Sequence, residues 1–127
     1  MGEIKSFRDL RIWQQSMQLV LLVYKLTESF LDSEKFGLTS QMRRFAISVP
    51  SNIAEDYGRR STNDYKRFLH ISQGPIYELE TKLLIAHKLG FLSKEGLNET
   101  AVSIVSNSKM TNKLISTLNK STVHTAS

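Results

Sequence analysis

The side chains with chemistry to offer gather on either side of Gly58-Arg59-Arg60-Ser61, between two helical patterns. The first reads SQMRRFAISVPSNIAEDYGRR and the second STNDYKRFLHISQGPIYELETKLLIAHKLGFL. Arg43, Arg44, Arg59, Arg60, Lys66 and Arg67 are candidate phosphate-binding residues, since cations on a helix surface are what a nucleic-acid backbone requires. Arg43 and Arg44 lie about four helical turns before Arg59, roughly 20 Å along the axis, so these cations form two patches rather than one stripe. Tyr57 and Tyr65 flank the turn, where they could stack on bases or pack into the core, the commoner use of tyrosine.

Asn52, Glu55 and Arg59 share a helix face with Ser48. Read plainly, this is a solvated face with one Glu55–Arg59 pair worth a few tenths of a kcal/mol. The sharper reading is a polar network at a subunit contact, with Asn52 fixing register and Glu55 orienting Arg59. We favour that reading because the adjacent Ala46, Pro50 and Ala54 offer a surface for close packing. The expected interface is therefore Ser48, Pro50, Asn52, Ala54, Glu55 and Arg59.

Other chemistry is poorly represented. His70, His87 and His124 have no metal-ligand spacing, and the Glu-x-x-His pairs of di-metal bundles are missing. There is no GxxxxGK[ST] or GxGxxG phosphate loop and no nucleophile elbow. The chain has no cysteine, which removes thiolate catalysis, disulfides and cysteine-bound zinc. The expectation is a protein without enzyme activity, metal or cofactor. A formal charge of +5 and a pI near 9.6 favour polyanionic partners or serve solubility alone. The longest apolar run, LVLLV from Leu19 to Val23, is too short to span a bilayer. The N-terminus lacks a signal peptide's apolar centre, so the expected location is the cytoplasm.

These residues need elements to position them, and 127 residues suffice for one domain, 1–127, with ends expected to fray at about 1–6 and 121–127. Four helical patterns are legible and no strand. The first, about Asp9 to Leu31, carries two apolar stripes, one through Leu10, Trp13, Met17, Val20, Leu21 and Tyr24, the other through Ile12, Leu19, Val23, Leu26 and Phe30. The second follows Thr39 as N-cap and ends at Gly58, expected in a left-handed conformation. Ser61 or Thr62 caps the third, Gly90 ends it, and Ser93 caps a fourth over roughly Lys94 to Asn119, interrupted by Ser106-Asn107-Ser108. Short connections favour an all-α, antiparallel up-down-up-down four-helix bundle, kinked at Pro50 and bent or broken at Pro75. The extra apolar stripes imply a partner.

The segments FRDLRIWQQSMQL, SQMRRFAISVPSNIAEDYGRRS, YKRFL and ELETKLLIAHKLGFL resemble the four-helix bundle proteins encoded in intervening sequences of bacterial 23S rRNA genes, a family related to accessory variability proteins of diversity-generating retroelements. The resemblance spans about Phe7 to Leu92. It implies a homopentameric ring of bundles and, for retroelement members, nucleic-acid binding and partnership with a reverse transcriptase. The family's S-[IV]-P-x-N-I-A-E-G-x-G-R segment falls on Ser48, Pro50, Asn52, Ile53, Ala54, Glu55, Gly58 and Arg59. Asp56 stands where the family has glycine, and Gly74-Pro75 where members commonly carry Gly-Ser. The expected function is a homo-oligomeric protein that binds nucleic acid, RNA among the options. The competing expectation is a protein scaffold or reverse-transcriptase accessory subunit whose basic charge is incidental.

Overall fold

The computed structural model describes residues 4–34, 37–59 and 61–126, the stretch 121–126 by backbone alone. Five α-helices follow one another: α1 (Arg11–Thr27), α2 (Leu38–Tyr57), α3 (Thr62–Ile71), α4 (Gly74–Lys88) and α5 (Lys94–Ala126). They form a four-helix bundle in which α3 and α4 together make the third rod, and no strand occurs among the described residues. The α1 helix packs on α2 and α5, α4 packs on α2 and α5, and α3 packs on α5 and α2.

Local sequence explains most of the boundaries. Ser6 and Asp9 form a reciprocal capping box around a 3-10 turn, Phe7–Asp9. Leu10 then turns extended, and α1 starts at Arg11 rather than at the Asp9 expected from periodicity. At the other end α1 stops at Thr27, and Asp32–Glu34 makes a second 3-10 turn. Thr39 is not the cap of α2. The helix begins two residues earlier than that cap would place it, with Gly37 at the cap position, and Thr39 sits buried in the first turn. Gly58 also departs from expectation, with φ −81° and ψ 2°. A tight turn, Gly58 N–H to the Glu55 carbonyl at 3.1 Å, closes α2 without a left-handed residue. Gly90 does take that conformation, with φ +86°, which a side chain at Cα disfavours. Ser61 and Ser93 cap α3 and α5 by accepting from the amides of Asp64 at 3.1 Å and Gly96 at 3.0 Å.

The two prolines act differently. Pro50 lies inside α2, which continues through it to Tyr57. At Gly74-Pro75 the rod is divided: α3 ends at Ile71 and α4 restarts with Pro75 in its first turn. There the missing N–H of proline costs nothing.

The core follows the expected stripes of each rod. Leu19, Val23, Met42, Val49, Ile76, Leu79, Leu83 and Ile104 are all buried in one cluster. On α1 the Ile12–Leu19–Val23–Phe30 stripe faces inward, while Met17, Leu21 and Tyr24 of the other stripe remain exposed. On α5 the polar Ser106-Asn107-Ser108 does not break the helix. Asn107, Thr100 and Thr111 are buried against the bundle. Thr100 and Thr111 return their hydroxyl protons to carbonyls of their own helix. Asn107 instead donates to Gln15 Oε1 at 2.8 Å, and Gln15 Nε2 donates to the Ser103 carbonyl at 2.7 Å. A polar seam thus joins α1 to α5.

Candidate nucleic-acid interface

Pairings across the bundle decide which functional side chains meet. Trp13 and Ala54 border one groove, and Thr27 accepts from Arg43 Nε at 2.9 Å. Lys66 Nζ donates to Asn119 at 2.8 Å, and Leu10 shares a cleft with Thr117. The start of α1, the end of α2, α3 and the second half of α5 therefore lie together at one end.

The cations expected to bind phosphate divide into two groups, and most already have protein partners. Arg43, half-buried, bonds to Thr27 and reaches the Tyr24 carbonyl at 3.4 Å, its guanidinium 4.4 Å from the Tyr24 ring centroid. It fastens α2 to α1. Arg44 is exposed beside it. Arg59 and Arg67 both lie over Phe68, their Cζ atoms 3.6 and 4.8 Å from its centroid. Arg59 also pairs with Glu55 at 3.6 Å, and Arg67 with Asp64 at 3.0 Å. Arg60 lies outside the described residues.

Tyr57 and Tyr65 meet edge to face, centroids 6.5 Å apart, rather than standing open to bases. Burial, then the charge of Asp56, pushes the Tyr65 phenol up to about 12. Asp56 itself is 3% exposed and bonded to Ser72 Oγ at 2.5 Å. Burial raises its carboxyl above the ordinary 3.8, while the Ser72 hydrogen bond and the Arg59 charge oppose that rise. A carboxyl in this position ties the end of α2 to the joint between α3 and α4.

The residues expected at an oligomer interface are spread over several surfaces. Pro50 and Ala54 line an apolar groove with Trp13, Met17, Val20 and Ile47. Ser48 and Asn52 line a polar cleft with Arg43 and Arg44, and Ser48 bonds back to the Arg44 carbonyl at 3.0 Å. Glu55, mostly exposed, and Arg59 make the i,i+4 pair. No hydrogen bond joins Asn52 to Glu55 among the described residues. Within one chain these residues form an apolar groove beside a polar cleft.

Sequence reasoning passed over Arg8, Arg11, Lys109, Lys113 and Lys120, all exposed at the same end as Arg59 and Lys66. Their helical spacing in α5, Lys109 to Lys113 at i,i+4, was legible; their proximity to Arg11 across the bundle was not. The described acids at this end all have partners or are buried. Asp9 accepts from the backbone amides of Lys5 and Ser6, Glu55 and Asp64 pair with arginines, and Asp56 is buried.

The family model described as 23S rRNA-intervening sequence protein matches residues 8–113. The chain belongs to the 23S rRNA-intervening sequence protein family. A crystal structure of a protein of unknown function from the S23 ribosomal protein family of Bacteroides thetaiotaomicron shares the fold. Its TM-score is 0.74 at 19% identity, covering 83% of this chain and 95% of that one. No curated protein matches the chain. Among the described residues of this family member, no cluster of His, Cys, Asp or Glu could hold a metal, and no helix is long and apolar enough to cross a membrane.

Proposed function

We propose that this protein is a non-enzymatic homo-oligomer that binds nucleic acid, RNA among its ligands, through the basic end of its bundle. The observation that carries the reading is the uneven distribution of charge. Arg8, Arg11, Lys109, Lys113 and Lys120 are exposed at an end where, among the described acids, Glu55 and Asp64 are paired, Asp56 is buried and Asp9 alone is exposed outside an ion pair. An excess of cations on one surface attracts a phosphate backbone and releases its counterions on binding.

Assembly is supported by two unpartnered surfaces on opposite sides of the bundle. The α1–α2 side exposes Met17, Leu21 and Ile47 beside Arg44. The α4–α5 side exposes Leu84, Val102 and Val105 beside Glu80 and Glu99. Different apolar patches with opposite charges fit a head-to-tail contact, which closes into a ring when the rotation allows. A pentamer is the closure that the family resemblance suggests. On this reading Arg44 serves the subunit contact rather than nucleic acid.

A titration of labelled structured RNA and duplex DNA at low and moderate salt tests the proposal. Salt-weakened binding is expected. No binding at low salt would overturn it and leave the same apolar faces to a protein partner such as a reverse transcriptase.

A further inference from the structure

The α1–α5 seam opens at the basic end into a cleft of about 350 Å³. Leu10, Ile12, Met110 and Leu114 give it an apolar lining, and Arg11, Lys109 and Lys113 stand around them with no acid among the lining residues. None of the three cations is in an ion pair among the described residues. The first turn of α1 opens onto the same place without a side-chain cap, so backbone donors add to the positive field. Lys109 stands on the border between this cleft and the exposed Val102 and Val105 of α5.

We propose that this cleft is a subsite for one unpaired nucleotide, with the phosphate on Arg11, Lys109 and Lys113 and the base against the apolar lining. This rests on the nucleic-acid reading above and goes further by specifying an unstacked base. Two observations favour that occupant. The volume falls at the small end of the about 300–1,000 Å³ that ligand pockets span. The cations also continue past the cleft to Arg8 and Lys120, which suits a repeating polyanion better than one isolated acid. A duplex keeps its bases paired and stacked, whereas a loop, bulge or strand end can offer one to an apolar surface.

Binding of a labelled single-stranded oligonucleotide and of its duplex to the full chain tests the assignment. Thr117 is exposed on the cleft lining, so Thr117→Trp should plug the space without changing charge. It should weaken single-strand binding about tenfold and leave duplex binding unchanged. Thr117→Ala keeps the cleft open and should bind like the parent. Lys109→Ala/Lys113→Ala should weaken both ligands. A nucleoside monophosphate that displaces the oligonucleotide from the parent but not from Thr117→Trp would show that the nucleotide unit itself is what the cleft takes. Unchanged single-strand binding in a folded Thr117→Trp protein, with the lysine variant still weakened, would overturn the subsite while leaving the nucleic-acid reading standing. A parent protein that binds neither strand would overturn both.

Discussion

Ser72 has one hydroxyl proton and two acceptors within reach, Asp56 Oδ2 at 2.5 Å and the Phe68 carbonyl at 2.8 Å. Donation to Asp56 stabilises the carboxylate against its protonated form. Burial favours that protonated form. Arg59 opposes it, while Glu55 and the half-buried Tyr65 face the same region. A raised pKa in the fold fixes the sign of the linkage. The stability Asp56 contributes is full below 3.8 and is lost as pH rises through its folded value. Asp56→Asn should therefore flatten the stability profile across that window, measured as Tm against pH relative to the parent. Identical profiles would show that the burial has no energetic consequence. The residue was conspicuous in the sequence as an acid in place of glycine, but its partner Ser72, sixteen positions on, could be identified only once α3 folded back along α2. The same holds for Arg59. Its i,i+4 pairing with Glu55 was legible, whereas its stacking on Phe68 depends on the turn. Arg59→Ala removes both contacts and should cost about 1 kcal/mol in denaturant unfolding, with Arg59→Lys recovering only part of it.

At the scale of the elements, the rods were legible because apolar periodicity is a local property, and Leu19, Val23, Met42, Leu79 and Leu83 lie where their spacing puts them. The polar groups inside the bundle were not. Asn107 reads as an interruption in a helical pattern, yet it is fully buried and bonded to Gln15, ninety-two positions away. Nothing local distinguishes a solvated asparagine from one whose partner arrives on another helix. Asn107→Leu leaves Gln15 Oε1 without its donor and should destabilise the fold by about 1–3 kcal/mol. Gln15→Leu/Asn107→Leu removes both partners and should recover most of that loss. A double variant as unstable as the sum of the two single ones would contradict the coupling. At the end of α4, Gly90→Ala places a side chain at φ +86° and should cost about 1 kcal/mol in thermal unfolding. An unchanged Tm would mean that the turn relaxes. Thr39 and Gly58 show the limit of cap rules. Residue type marked the neighbourhood of each boundary, but backbone geometry chose Gly37 for one and a right-handed turn for the other.

Taken whole, the molecule has two apolar sides and one basic end, and each was only half visible in the sequence. Surplus apolar stripes on α1 and α2 predicted an unpartnered surface. The acidic counterpart on α4 and α5 emerged only when Leu84, Glu80, Val102 and Glu99 came to one side. Under the proposed head-to-tail assembly, Leu21→Glu and Val102→Glu should each lower the mass in solution, since each places a charge on one of these exposed apolar faces. Retention of the parent mass by both would contradict head-to-tail assembly through these faces. The basic end concerns function more directly. The cations near the α2–α3 turn were recognisable as a cluster, but Arg59 and Arg67 spend their guanidiniums on Phe68 and on carboxylates. The unpaired charge comes from Arg11 and the α5 lysines, which lie far apart in the chain. The most direct test is the dependence of nucleic-acid affinity on salt for the parent, for Lys109→Ala/Lys113→Ala/Lys120→Ala, and for Arg44→Ala. For a single strand each lost phosphate contact reduces the log–log slope by about 0.7, so the triple variant should lose about 2 from its slope and Arg44→Ala nothing. A triple variant with the parent's affinity and slope would contradict the assignment of binding to the basic end.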